Sequence, residues 1–166
     1  MKAAVAVGSN LGDRFANLKN ARAKISAAPG VLPPVRSSAI YETEPIGCET
    51  GAPKFLNAVV AFEYEGDASA LLRTLVAIEE AGGRPHTHAK NVSRTLDLDL
   101  LFFGDVEVNT AELQVPHPRI AKRPFVLAPL ADVCPDLILP RHTSSVRELL
   151  RRLDESDALV RFSTQW

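Results

Sequence analysis

The chain has 166 residues, 46% of them hydrophobic and 23% charged, with a formal net charge of −1. That length fits a single domain over 1–166 whose core needs no disulfide staples, and the near-neutral charge excludes a global electrostatic pull toward nucleic acid or a membrane surface. The two cysteines lack a C-x-x-C spacing and no apolar run is long enough to span a bilayer, which together suit a reduced, cytoplasmic setting. In chain order, Ala3 to Val7 reads as a short buried strand. Gly8-Ser9-Asn10-Leu11-Gly12 then turns the chain, and Asp13 is a helix N-cap. Phe15, Leu18, Ala21 and Ile25 recur at helical spacing until Pro29-Gly30 stops the run. Val35 to Thr43 alternates as a second strand, the loop EPIGCETGAP follows, and Phe55 to Tyr64 alternates as a third. Asp67 caps a second helix with Leu71, Leu72, Leu75 and Ile78 on one side and Gly82-Gly83 at its end. The polar loop RPHTHAKNVS leads into a fourth strand, Thr95 to Phe103, with Val106 to Val108 placed to pair with it as a hairpin. A Pro-rich segment follows, then a short helix from Val146 to Leu153 with a Ser145/Glu148 capping box.

Strand, helix, strand, strand, helix, strand is the order of the split βαβ, or ferredoxin-like, α+β arrangement. It predicts an antiparallel sheet with both helices on one face, the other face free to be a site, and a C-terminal extension.

The fourth strand carries the feature that a core strand does not explain. In SRTLDLDLLFFG, alternation puts Leu96, Leu98, Leu100 and Phe102 on one face and Asp97 and Asp99 on the other. Same-face residues two apart lie roughly 6–7 Å apart along a strand, so two carboxylates there repel unless a cation sits between them. Mg²⁺ suits that gap, because it takes oxygen ligands, keeps waters and completes its shell with substrate phosphates. The plain alternative is a solvated strand face bearing two exposed acids.

Three neighbouring segments bear on the choice. Between Gly83 and Thr95 lie Arg84, His86, His88, Lys90 and Arg94 with no acid among them, a composition suited to clamping a polyphosphate or simply to a surface loop. His86-x-His88 has no third ligand at metal spacing. In PKFLNAVV, Phe55 and Asn57 share a face, one to stack on a flat heterocycle and one to read its edge. PHPRIAKRPF adds His117, Arg119, Lys122, Arg123 and a second stacker, Phe125. By contrast, VGSNLGDR lacks both a Gly-Lys-Ser/Thr ending and the third glycine of a dinucleotide fingerprint, so it reads as a tight structural turn. Ser9 has no visible His–acid partnership that would make it a nucleophile. An RNA-binding module of the same strand order is disfavoured, since Asp97 and Asp99 would repel phosphates on the strand such modules use.

VGSNLGDR, YETEPIG, KFLNAVV, IEEAGGR, SRTLDLDLLFFG and VPHPRIAKRPFVLAPL, in this order, resemble the 6-hydroxymethyl-7,8-dihydropterin pyrophosphokinase family of the folate pathway, from the first strand to about Pro140. The resemblance implies a ferredoxin-like monomer, with no other enzyme domain of the pathway attached and no nucleic-acid or membrane partner. Its reaction moves pyrophosphate from ATP to the pterin hydroxymethyl group and releases AMP. It implies two Mg²⁺ ions on Asp97 and Asp99, with Arg84 and Arg94 completing the catalytic set. It places the pterin against Phe55, Asn57, Phe125 and the segment Thr43, Glu44, Pro45, Ile46 and Gly47. It places ATP against Arg84, His86, Arg94, Leu100, His117, Pro118 and Arg123. Three departures concern loop contacts rather than the reaction class. His86 stands where a second Arg is frequent, Asn91-Val92-Ser93 where Trp-Gly-Pro is frequent, and Glu44 interrupts a run of prolines. A Mg²⁺-dependent transferase with another acceptor would keep the diacid and cationic loop but not the Phe55/Asn57/Phe125 receptor.

Overall fold

The structure is a computed structural model that describes residues 1–45, 49–83, 93–153 and 159–166. The chain runs β1 (Lys2–Ser9), α1 (Arg14–Ser26), β2 (Val31–Ser37), β3 (Ile40–Thr43), β4 (Phe55–Tyr64), α2 (Ala68–Ala81) and β5 (Asp97–Phe103). β1 pairs antiparallel with β4 on one side and β5 on the other, while β2 and β3 lie one after the other along the far edge of β4. The second expected strand is therefore interrupted at Ser38-Ala39, where the buried Ser38 hydroxyl accepts the Val59 N–H at 2.8 Å. A short strand β8 (Val160–Ser163) extends the sheet beyond β3. The order β5-β1-β4 followed by β2/β3 is that of the ferredoxin-like fold.

Both long helices start where side-chain caps satisfy their first amides. Asp13 accepts from Ala16 N at 2.9 Å and Asp67 from Ala70 N at 2.6 Å. Leu18, Ala21 and Ile25 of α1 and Leu71, Leu75 and Ile78 of α2 then bury against Val5, Val7, Leu98 and Leu100. The apolar stripes read at helical spacing are thus the stripes that build this core.

The second face is not left open as expected. Half of it is covered by α3 (Pro124–Val133) and α4 (Val146–Arg152), whose Val126, Leu127, Leu130 and Val146 pack on Ala4, Val59, Leu101 and Phe102. α4 carries the expected capping box. α3 begins with Pro124 at its first turn, where a missing N–H costs nothing, and accommodates the buried Pro129 inside it. Two strand details also differ from expectation. Val5 pairs with Leu100 and Ala4 with Phe102, so Leu101 is an extra residue and this bulge turns Phe102 onto the α3 face instead of the α1/α2 face. Val106 to Val108 does not form a hairpin with β5; β6 (Val108–Asn109) pairs instead with β7 (Gln114–Val115). Among the described residues no helix is long and apolar enough to cross a membrane.

Candidate active site

The end of the second face beyond α3 stays open because β1 has nothing large there. Ala6 and Gly8 are its residues on that face, and they line the bottom of a cleft of about 670 Å³ that opens to solvent. Sheet register arranges the walls. Asp97 of β5 lies opposite Gly8, Gly8 opposite Asn57 of β4, and Asn57 opposite Tyr41 of β3, in a single row; Asp99 lies opposite Ala6 in the next. Gly8 is not required by its backbone, which is outside the left-handed region. It is required by room: a Cβ there would lie 3.2 Å from Asn57 Oδ1 and 3.7 Å from Asp97 Cβ.

One wall suits a flat polar ring. Asn57 Nδ2 donates to Thr43 Oγ1 at 2.7 Å, which fixes the amide plane. Phe55 of β4 and Phe125 from the first turn of α3 both line the cleft. The Arg123 guanidinium lies 5.3 Å from the Phe125 ring centroid. Glu44 also lines the cleft, whereas Pro45 follows it without being among the lining residues.

The other wall is charged. Asp97, Asp99, Arg94 and Arg123 face the same space. Arg94 Nη1 meets Asp97 Oδ1 at 3.3 Å, and its guanidinium carbon lies 5.9 Å from the Phe55 centroid, so one side chain touches both walls. Its Nε is buried and, among the described residues, has no hydrogen-bond partner, which is the state expected of a donor kept for a ligand. Burial first and then Arg119 lower the Arg123 pKa, while Asp99 and Asp97 oppose that shift. Behind the diacid, the nearly buried Glu79 of α2 accepts the Leu98 N–H at 2.7 Å, holding edge strand β5 at the residue between the two aspartates.

His117 stands beside this wall. Burial, then Arg123 and Arg119, push its pKa down to about 4. Its Nδ1 accepts the Arg119 N–H at 3.1 Å, so the neutral ring carries its proton on Nε2. His117 and Pro118 line a neighbouring groove with Lys122 rather than the cleft itself. Leu100 is buried in the α1/α2 core, so its side chain is not on the cleft face and any contact with a nucleotide falls to its backbone. Ile46, Gly47, Arg84 and His86 lie outside the described residues.

The structure thus brings Thr43, Glu44, Phe55, Asn57 and Phe125 together with Arg94, Asp97, Asp99 and Arg123. Sequence reasoning missed Ala6, Gly8 and Glu79. Only the small-residue alternation Ala4, Ala6, Gly8 could have signalled a depression on that face. Among the described residues no group of three or more His, Cys, Asp or Glu is arranged for a metal. Two carboxylates beside cationic side chains are nonetheless a fitting donor set for Mg²⁺, which takes few protein ligands and keeps the rest for water and phosphate.

Comparison with known proteins adds the family. A family model described as 7,8-dihydro-6-hydroxymethylpterin-pyrophosphokinase (HPPK) matches residues 4–135. The 2-amino-4-hydroxy-6-hydroxymethyldihydropteridine pyrophosphokinase of Methylorubrum extorquens is 39% identical over 155 residues, 93% of this chain and 95% of that protein. The enzymes of the same name from Synechocystis sp. and Bacillus subtilis are 37% and 41% identical, over 92% and 78% of this chain and 76% of each relative. Among solved structures, wild-type Plasmodium falciparum HPPK-DHPS with pteroate is similar at a TM-score of 0.69 and 15% identity, over 91% of this chain and 42% of that one. The chain therefore spans less than half the length of that structure, and the likeness bears on the fold.

Proposed function

Because the chain belongs to the 7,8-dihydro-6-hydroxymethylpterin-pyrophosphokinase family, we propose that it transfers pyrophosphate from ATP to the hydroxymethyl group of 6-hydroxymethyl-7,8-dihydropterin and releases AMP. The observation that carries this reading is the row Asn57, Gly8, Asp97, which sets a heterocycle reader and a phosphate-side acid one strand apart on either side of a gap without side chains. Phe55 and Phe125 stack on the pterin, Asn57 reads its edge, and Thr43 and Glu44 stand beside it. The hydroxymethyl arm then points across Gly8 toward β5.

Asp97 and Asp99 would hold Mg²⁺, two ions in this reading, which supplies charge neutralisation on the polyphosphate and a more acidic acceptor hydroxyl. The protein's own contribution is position and field. Arg94 and Arg123 meet phosphate oxygens and neutralise the charge that grows on the departing AMP. His117, held neutral with its proton on Nε2, donates a hydrogen bond without adding charge of its own. Arg84 and His86 are assigned to the ATP phosphates by the family resemblance alone, with Pro118 and the Leu100 backbone beside the nucleotide. Walls that meet both substrates exclude the water that would otherwise hydrolyse ATP. The working form in this reading is a cytoplasmic monomer.

The test is direct. Protein incubated with ATP, Mg²⁺ and 6-hydroxymethyl-7,8-dihydropterin is expected to yield AMP and the pterin pyrophosphate in equal amounts. ADP as the co-product would instead mean single-phosphate transfer, and no pterin-dependent turnover would overturn the reading outright.

A further inference from the structure

The row that crosses the cleft floor does not stop at Tyr41. Arg161 of β8 lies opposite Tyr41, so Asp97, Gly8, Asn57, Tyr41 and Arg161 stand in line over five strands and on one face of the sheet. Tyr41 is 7% exposed, and its hydroxyl is the centre of a polar cluster outside the cleft. The hydroxyl donates to Asp132 Oδ2 of α3 at 3.0 Å and accepts from Arg161 Nη2 at 3.1 Å. Asp132 Oδ2 also accepts the Ala39 N–H at 3.0 Å, at the break between β2 and β3. Arg161 Nη2 lies 3.7 Å from Asp132 Oδ1, and the Arg161 guanidinium carbon lies 5.6 Å from the Tyr41 ring centroid. Burial raises the Tyr41 pKa, so the phenol keeps the proton that it donates.

This cluster ties the pterin wall together from behind. Phe125 and Asp132 are seven residues apart on α3, about two turns, so they share a helix face and lie roughly 10 Å apart along its axis. Phe125 lines the cleft at one end of that face, and Asp132 is bonded to β3 at the other. β3 is only four residues long, yet it carries Thr43, whose Oγ1 fixes the Asn57 amide. A strand that short keeps its place through what is fastened to it. β8 fastens its outer edge and is itself anchored on the opposite sheet face, where the Phe162 ring lies 6.1 Å from that of Phe15 in α1. The Trp166 indole N–H adds a bond to Ser38 O at 2.7 Å. Arg161 lies past residue 135, where the match to the family model ends, so the brace is supplied by the C-terminal segment of this chain.

We propose that Tyr41, clamped between Asp132 and Arg161, is a positioning residue for the pterin: it fixes β3 against α3 and so sets the spacing between Phe125 and the sheet residues Phe55 and Asn57. This rests on the pyrophosphokinase reading of the cleft. The acids of the phosphate wall belong to β5, at the far side of the sheet from the clamp, so the clamp bears on the heterocycle and not on the nucleotide.

The experiment measures two ligands separately by calorimetry, 6-hydroxymethyl-7,8-dihydropterin alone and Mg²⁺ with a non-hydrolysable ATP analogue alone. Tyr41→Phe keeps the ring and removes only the hydroxyl. It is expected to raise the pterin Kd about five- to ten-fold and to leave the nucleotide Kd within two-fold. In turnover the pterin KM rises by a similar factor, while kcat at saturating pterin stays within two-fold. Arg161→Met, at a half-exposed side chain whose loss the fold tolerates, is the second variant and raises the pterin Kd about three-fold. Arg161→Lys keeps a cationic donor and restores the wild-type value. An unchanged pterin Kd in Tyr41→Phe, equal losses for pterin and nucleotide, or Arg161→Met and Arg161→Lys behaving alike would overturn the proposal. A wild-type protein that binds the nucleotide analogue but no pterin overturns the functional reading instead, so the two failures are distinct.

Discussion

Replacing Asn57 by alanine separates a pterin receptor from a generic phosphotransferase cleft. Asn57 spends one Nδ2 hydrogen on Thr43 at 2.7 Å, and its Oδ1 lies on the Gly8 side of the cleft floor. In the proposed complex, Oδ1 and the second Nδ2 hydrogen pair with the ring edge. Each such bond is worth about 0.5–1.5 kcal/mol net, and a ring group left unpaired in a closed site costs about 1–3 kcal/mol. Asn57→Ala is therefore expected to weaken pterin binding by about 1.5–3 kcal/mol, roughly 10- to 150-fold in Kd. The lost Thr43 partner costs the fold about 1 kcal/mol, a fall of roughly 2–4 °C in Tm for a chain of this size. The nucleotide half is built from other side chains, so the Kd for Mg²⁺ with a non-hydrolysable ATP analogue, measured alone, stays within two-fold. Calorimetry on the two ligands separately reads both numbers. Equal losses for pterin and nucleotide, or no loss for pterin, would refute the assignment of this wall.

Three further outcomes are expected. Asp97→Asn and Asp99→Asn each lower turnover by about 10³-fold or more, since several kcal/mol of charge stabilisation depend on the diacid; Tm stays within a few degrees, and a variant retaining a tenth of wild-type turnover would count against the metal role. Gly8→Ala keeps the fold, because the backbone there is extended, yet raises the pterin Kd about ten-fold as the new methyl meets Asn57 Oδ1 at 3.2 Å; unchanged pterin affinity would show that the ring does not cross the floor. His117 gives a pH signature. With its folded pKa lowered to about 4, the unfolded chain takes up the proton first as pH falls below 6.5, so stability declines from pH 6.5 to about 4 and levels off below. Urea unfolding at pH 7 and pH 5 should show His117→Asn losing about 1–2 kcal/mol less than wild type, screening included; parallel losses would mean that the imidazole is not held neutral.

How much of this was legible in the sequence depends on whether one strand or helix carries the signal by itself. α1 and α2 were readable because their caps and apolar stripes are local. Asn57, Asp97 and Asp99 were readable because a polar side chain at period two inside an apolar strand has few structural uses. The row joining them was not, since it depends on β1 lying between β4 and β5, a register that no single segment encodes. The bulge at Leu101 escaped for a related reason. Leu100, Leu101, Phe102 and Phe103 are all buried, and alternation cannot assign faces when both faces are cores.

The covered half of the second face explains the placement of the site better than the open half does. In sequence Pro124 and Pro129 belong to a Pro-rich segment with no helix expected; in the fold its apolar residues pack as a helix against Ala4, Val59 and Ala61. Yet Phe125, read from sequence as a stacker, is in the first turn of that same helix. The element that closes one half of the sheet therefore delivers the aromatic wall of the other half. Arg123, its N-cap, comes with it and reaches the Asp97 and Asp99 side. A free sheet face would have offered the diacid and Asn57 to solvent; α3 turns the same residues into a cleft, because its start is placed where β1 narrows to Ala6 and Gly8.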